Sequence, residues 1–418
     1  MLRVLLIDDS ADKINRYKRI LQEYVDIPDW AVDVAESVTD AFRFLRKTQY
    51  ELVILDLYLP LRKGTEPNPE NAKVLLSELL ESSDEYFMPY NIVGITRWKD
   101  ADPQYKSFFD SLLLAYIIYE ENSDDWVSRL KNKIDFLIKA QKCVQNQDYY
   151  DYDVAIINAL QTENYHVKKA FGNEGWESID IPADLSNNYY SKRVKTSHGR
   201  DIRMVTCYSL QMASVASASL TTKVIYNFRP KYLIMTGIAA GIDRTEVSLG
   251  DILVAQKVWD GASGKLKSDS NGNAVFSPDY RELITDSEVQ ALVARLKENR
   301  TLLNSIEESY DNVNAKPKTK LNVHLGPIVS VPAVLSNKDA VKEIEQHCRK
   351  LLGVEMEGYG VFYAAFHSAK PKPKYVMVIK SVSDYADPDK SDNYQDYCMY
   401  TSAQFAKHII LNELDFTK

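Results

Sequence analysis

Two short stretches near the end of this 418-residue chain set carboxylates where they could do chemistry. The first is Leu352-Gly353-Val354-Glu355-Met356-Glu357-Gly358, and the second is Ile379-Lys380-Ser381-Val382-Ser383-Asp384-Tyr385-Ala386-Asp387. Each carries an acid just past an apolar run, so each acid stands where a buried strand gives out. Two such carboxylates are what is needed to cut a nucleoside: one grips the ribose hydroxyls and the other meets the purine ring as the glycosidic bond breaks. A third acid, Glu163, follows the apolar run Val154–Ile157 in Asn158-Ala159-Leu160-Gln161-Thr162-Glu163. A Glu that opens a helix is also favoured there by the helix dipole, and this plainer role competes with a catalytic one.

Small residues form a third kind of signal. Thr236-Gly237-Ile238-Ala239-Ala240-Gly241 follows the apolar Leu233-Ile234-Met235, and Leu249-Gly250-Asp251-Ile252 comes next. Residues with little or no side chain let backbone amides approach a ligand closely, so a Gly-rich turn at the strand end is expected here. Lys192, Arg193, Lys195, His198, Arg200 and Arg203 make a basic stretch at odds with the net charge of -8. It reads either as a solvated hairpin or as a clamp for an anionic group on the substrate's 5′ side, with Arg200, Arg203 and Lys390 as contacts.

These positions need elements to hold them, and the chain supplies two sets. Strands are predicted at Asp153–Ile157, Lys231–Thr236, Ile252–Ala255, Pro327–Val331 and Tyr375–Ile379. Helices are predicted at Met212–Asn227, Glu288–Glu298, Asn337–Leu351, Gly358–Phe366 and Tyr400–Leu414. That pattern predicts an α/β sandwich over residues 152–418. Ahead of it, strand and helix signals alternate: strands Val4–Asp8, Ala31–Ala35, Glu51–Asp56, Tyr90–Thr96 and Ala115–Tyr119, each with a helix after it, the last being Asp125–Ala140. Five βα units in a row imply a doubly wound parallel sheet over residues 1–140, with its working edge at the C-terminal strand ends. Polar, aperiodic residues 141–151 read as a linker.

Composition bounds the rest. With 45% hydrophobic and 26% charged residues the chain is a folded globular protein, and no apolar run is long enough to suggest a membrane span. Cys143, Cys207, Cys348 and Cys398 show no C-x-x-C spacing, which argues against a zinc site or a disulfide framework and for a cytoplasmic setting. The net acidity disfavours nucleic acid as a partner.

Val354-Glu355-Met356-Glu357 followed by Ser383-Asp384-x-Ala386-Asp387 resembles the nucleoside phosphorylase and nucleosidase superfamily, which includes the methylthioadenosine/S-adenosylhomocysteine nucleosidases. The resemblance implies that Glu357 holds the ribose 2′ and 3′ hydroxyls, that Asp384, oriented by Ser383, hydrogen-bonds or protonates purine N7, and that Glu163 activates water. It implies substrate contacts from Thr236, Gly237, Ile238 and Met356, and from Val334 and Leu335 in Ser330-Val331-Pro332-Ala333-Val334-Leu335-Ser336, which aligns with the strand closing over the purine. Val334 stands where a stacking Phe is usual, so Tyr385 or Tyr359 is expected to stack instead. Phosphorylases of the superfamily need an anion site, commonly a first loop with an Arg. Here that loop lacks Arg and carries Glu163, whose charge would repel phosphate, so hydrolysis is favoured.

In the N-terminal region, Asp8 and Asp9 end the first strand, Asp56 ends the third and Thr96 the fourth. This set resembles a response-regulator receiver domain, implying Mg²⁺ held by Asp8, Asp9 and Asp56, phosphoryl transfer to Asp56, Thr96 as the switch residue, and a histidine kinase or phosphotransfer partner. The Lys-Pro pair that normally ends the fifth strand is replaced by Tyr119-Glu120. Gly237–Gly241, Trp259-Asp260-Gly261-Ala262-Ser263-Gly264-Lys265 and Asp384–Asp387 also look like phosphorylase-type effector domains of immune proteins. Behind a receiver, the arrangement is similar to the effectors of Detocs-type antiphage systems, which release adenine from ATP. The resemblance thus implies an oligomeric adenine-nucleotide N-glycosidase. A methylthioadenosine/S-adenosylhomocysteine nucleosidase and a non-catalytic nucleotide sensor are the alternatives.

Overall fold

The computed structural model describes the chain except residues 1, 26, 83, 98–102, 113, 122, 147–148, 183, 269–271, 273, 334–343, 345–346, 349, 387–392 and 418, and gives the backbone alone at 25, 103–106, 142–146 and 313. Met1–Asn146 and Gln147–Lys418 form two compact units. No helix among the described residues is long and apolar enough to cross a membrane.

The first unit follows from a period-two pattern read on both faces. It runs β1 (Val4–Ile7), α1 (Ala11–Val25), β2 (Val32–Ala35), α2 (Val38–Leu45), β3 (Leu52–Asp56), α3 (Pro69–Glu81), β4 (Ile92–Thr96), α4 (Pro103–Ser111), β5 (Ala115–Ile118) and α5 (Asp125–Asn146). Val4 and Leu6 pack with Ile14, Tyr17 and Leu21 of α1 and with Trp126 and Leu130 of α5. Leu5 and Ile7 point the other way, into Val38 and Ala41 of α2 and Leu75 and Leu79 of α3. Strands buried on both faces need helices on both, and the result is a wholly parallel sheet in the order β2-β1-β3-β4-β5. That is a doubly wound order whose switch point lies between β1 and β3, where Asp8 and Asp56 sit. The expected linker begins later than residue 141, because α5 continues to Asn146.

The second unit departs further from expectation. Its elements are β6 (Tyr152–Asn158), α6 (Gln161–Ala170), β7 (Glu177–Ile179), β8 (Tyr189–Lys195), β9 (Asp201–Tyr208), α7 (Ser214–Phe228), β10 (Pro230–Gly241), β11 (Ile252–Asp260), β12 (Gly264–Ser268), β13 (Ala274–Pro278), β14 (Leu283–Ile284), α8 (Ser287–Lys297), α9 (Arg300–Glu308), β15 (Val323–Ser330), β16 (Gly353–Glu355), α10 (Gly358–His367), β17 (Tyr375–Asp384) and α11 (Gln395–His408). The sheet is mixed rather than a plain sandwich layer. β17 runs parallel to β10 and antiparallel to β11, so β10, β17, β11, β15 and β16 pair in a closed circuit. The expected Gly-rich turn is strand instead. β10 continues through the Gly-rich segment to Gly241, and β12 and β13 form a hairpin. Most of the helix predicted at Asn337–Leu351 lies outside the described residues. Alternation again sorts the core: Val154 and Ile156 face Val167 of α6 and Phe405 of α11, while Ala155 and Ile157 face Val224 of α7 and Phe362 of α10.

Candidate active site

A cavity opens at the C-terminal ends of β6, β10 and β17, and its walls include Glu163, Glu355, Glu357, Ser383 and Asp384. Glu163 is the third residue of α6, and its Oε2 accepts from the amides of Ala159 (2.8 Å) and Leu160 (3.0 Å). Oε1 accepts from the Ile238 amide at 3.1 Å. The capping role and the site position are therefore one geometry, with the carboxylate gripped by amides of two elements. Gly237 makes room for it, since a Cβ there would lie 2.2 Å from Glu163 Oε1. Burial pushes the Glu163 carboxyl up, Lys380 draws it down and Glu357 adds to the rise.

Lys380, to which the sequence reading gave no role, is the centre of this cluster. Its side chain is 1% exposed, and Nζ lies 3.2 Å from Glu357 Oε2 and 3.5 Å from Glu355 Oε2. Burial pulls its pKa down, but Glu357, Glu355 and Glu163 outweigh that and raise it, so it stays an ammonium. Glu355 accepts from the amides of Glu357 (2.9 Å) and Gly358 (2.8 Å) and from the Ser330 hydroxyl. Burial raises its pKa against the pull of Lys380. Glu357 Oε1 accepts from the Ala213 amide at 3.1 Å. Ala213 holds a φ of 84°, a conformation that L residues seldom adopt, just ahead of α7. The helix predicted from Met212 begins instead at Ser214, and that change of backbone is what aims the Ala213 amide at Glu357.

Asp384 ends β17 and is 7% exposed. Its Oδ1 accepts from the Ala386 amide at 2.9 Å, and Oδ2 lies 3.0 Å from the Ser383 hydroxyl. The β10–β17 register slips here: Ala239 pairs with Val382 and Ala240 with Asp384, leaving Ser383 as the bulged residue. A bulge redirects side chains at a strand end, and this one turns both Ser383 and Asp384 into the cavity.

The other expected positions divide. Ile238 and Met356 line the cavity, together with Met212, Val331 and Ala333. Thr236 and Gly237 stand behind it, the Thr236 hydroxyl accepting from Asn158 Nδ2 at 2.8 Å. Val334, Leu335 and Lys390 lie outside the described residues. Neither Tyr385 nor Tyr359 is on the cavity wall; the Tyr385 hydroxyl donates to the Val247 carbonyl and Arg244 covers its ring. Arg200 and Arg203 are at the wrong end of the sheet for a phosphate clamp. β9 runs parallel to β6, with Arg203 beside Asp153 at the strand start and Tyr208 opposite Asn158 at the cavity end. That separates Arg203 from the site by roughly 17 Å of strand.

A second hollow does carry cations. Lys265 and Arg281 line it with Ser263, Gly264 and Tyr359. It adjoins the acid cluster through Ser330, whose carbonyl accepts from the Gly261 amide (2.8 Å) and whose Oγ accepts from the Tyr359 amide (2.8 Å) while donating to Glu355.

Residues 181–412 match the family model of the phosphorylase superfamily. The chain belongs to the phosphorylase superfamily. Within curated proteins it is 30% identical to a death domain-containing ATP nucleosidase of Amphimedon queenslandica over 49% of this chain and 37% of that one. It is 25% identical to ATP nucleosidase Cap17 of Escherichia coli strain KTE188 over 64% of this chain and 52% of Cap17. A 5′-methylthioadenosine/S-adenosylhomocysteine nucleosidase of Maridesulfovibrio salexigens is 24% identical over 56% of this chain and 90% of its own length. The chain therefore spans about a third to a half of the two ATP nucleosidases.

Outside the superfamily match, the N-terminal unit holds its own acid cluster. Carboxylate oxygens of Asp8, Asp9 and Asp56 lie within 4.8 Å of one another. Hard oxygen donors at that spacing, one of them exposed, fit a Mg²⁺ ion that keeps part of its water shell. Lys13, also without an expected role, enters the cluster: its Nζ is 3.2 Å from Asp8 Oδ2 and touches Asp56 Oδ2. Burial raises the Asp8 carboxyl to about 6, with Asp56 adding and Lys13 opposing; burial raises Asp56 too, against Lys13. Thr96 is buried at the end of β4, and its carbonyl accepts from the Tyr119 amide at 2.7 Å.

Proposed function

We propose that the second unit is a purine nucleosidase that hydrolyses the adenine–ribose bond of ATP, and that the first unit is a receiver that regulates it. The observation that carries the enzymatic reading is the convergence of Glu163, Glu357 and Asp384 on one cavity, with the first two beside the buried Lys380. As the C1′–N9 bond lengthens, positive charge grows on the sugar, and the fixed carboxylate of Glu357 beside the ribose diol stabilises it. Asp384 supplies a hydrogen bond or proton to the purine, so the electron pair leaving with N9 is neutralised. Glu163 takes a proton from the attacking water, whose oxygen bonds to C1′. Positioned acid–base chemistry of this kind contributes about 10²–10⁴-fold.

The triphosphate is read as lying in the hollow with Lys265 and Arg281, whose Tyr359 is linked through the Ser330 hydroxyl to Glu355 of the cavity wall. The two ATP nucleosidase relatives support that substrate. A methylthioadenosine reading is favoured by one feature, the apolar wall of Met212, Ile238, Val331 and Met356, and by the methylthioadenosine/S-adenosylhomocysteine nucleosidase relative. Incubating the full chain with ATP, AMP and methylthioadenosine and measuring free adenine separates the readings. Adenine from ATP at the highest kcat/KM is expected; faster release from methylthioadenosine reverses the substrate assignment, and none from any of the three overturns the enzymatic reading.

A further inference from the structure

The receiver family that this N-terminal unit resembles takes its phosphate-reading ammonium from the end of the fifth strand, where this chain has Tyr119. That end is filled. Tyr119 is buried against Trp126 with ring centroids 4.7 Å apart, and the Arg16 guanidinium lies 5.7 Å from the Tyr119 ring and 4.8 Å from that of Trp126. An ammonium nevertheless reaches the acids by another route. Lys13 sits early in α1, and helical side chains lean back toward the N-terminus, which carries this one over the end of β1. It is 3% exposed, with Nζ between Asp8 Oδ2 and Asp56 Oδ2 and 5.9 Å from the Tyr119 ring.

We propose that Lys13 is the ammonium that serves Asp56, supplied from α1 in place of a lysine on β5. The proposal rests on the receiver reading of this unit. In the transfer, an Asp56 carboxylate oxygen bonds to the phosphorus of an acyl phosphate while the bond from phosphorus to the donor's acyl oxygen breaks and the donor carboxylate departs. No proton changes hands at Asp56, and the charge left on the phosphoryl oxygens is met by Lys13. Asp56 Oδ1 is tied to the Tyr58 amide at 3.2 Å, so the oxygen beside Lys13 is the one placed for the exchange.

The test treats the full chain with acetyl phosphate and Mg²⁺ and follows its intact mass, with Mg²⁺ affinity measured by calorimetry. The expected result is one phosphoryl group, absent in Asp56→Asn and reduced at least about ten-fold in both Lys13→Met and Lys13→Gln as their local positive charge is lost. Mg²⁺ is expected to bind more tightly to the two Lys13 variants, because the three acids then lack their internal cation; damage to the fold would weaken it. Full labelling of both Lys13 variants overturns the role of Lys13 and leaves the receiver reading standing. A wild-type chain that never takes the label overturns both.

Discussion

Each unit buries a lysine among three carboxylates, but the two clusters hold their acids differently. In the second unit Glu163, Glu355 and Glu357 all accept backbone amides, and Lys380 is sealed from water. In the first, Asp8 and Asp56 are each tied to one amide, by Ser10 and Tyr58, while Asp9 is exposed. A closed cluster with fixed dipoles can stabilise charge that appears only in a transition state, because nothing has to reorganise. An open cluster with one solvated acid can exchange what it binds. On the proposed reading, the first arrangement suits an acid cluster held ready for a developing charge and the second one whose occupant changes.

The comparison breaks first at the carboxylates themselves. Glu357→Gln and Asp384→Asn are expected to slow adenine release by about 10²–10⁴-fold while thermal unfolding stays near that of the wild type. Turnover within a few-fold of wild type in either variant removes that residue from the mechanism.

Lys380→Met sharpens the contrast. It strands buried carboxylates without their cation, a loss of about 3–5 kcal/mol, readable in denaturant unfolding. The pH dependence carries a sign. Glu163 and Glu355 have pKa values raised above the ordinary 4.5, so the folded unit holds protons that the unfolded chain gives up, and stability falls as pH rises from about 4.5. Lys380 pulls both pKa values down, so its removal extends that fall to higher pH. The acid limb of kcat/KM, which reports Glu163 as base, is expected above the ordinary carboxylate range and moves further up in Lys380→Met. A limb that stays in place separates Glu163 from the titration.

The smallest effect distinguishes two sets of cations. Lys265→Ala and Arg281→Ala should raise KM for ATP about ten-fold relative to adenosine, roughly 1.4 kcal/mol of lost phosphate contact. Arg200→Ala and Arg203→Ala should leave that ratio unchanged. The opposite pattern in steady-state kinetics returns the phosphate to the hairpin.

Much of the scaffold is legible along the chain because it is written in short-range periods. Val4–Ile7 and Val154–Ile157 are apolar on both faces, which demands helices above and below, and acids directly after such runs stand at a strand edge. That logic, together with family resemblance, puts Glu163, Glu357 and Asp384 on one cavity wall and Asp8 and Asp56 in one acid cluster, as the structure has them. Tertiary structure alone decided the rest. Where a lysine's long side chain ends depends on which carboxylates distant elements bring near, so Lys13 and Lys380 look ordinary in sequence and are central in space. The positive φ of Ala213 and the bulge at Ser383 are set by neighbouring strands and helices, not by residue type. The basic hairpin carries a suggestive composition, but strand direction, which no local pattern encodes, puts it at the far edge of the sheet.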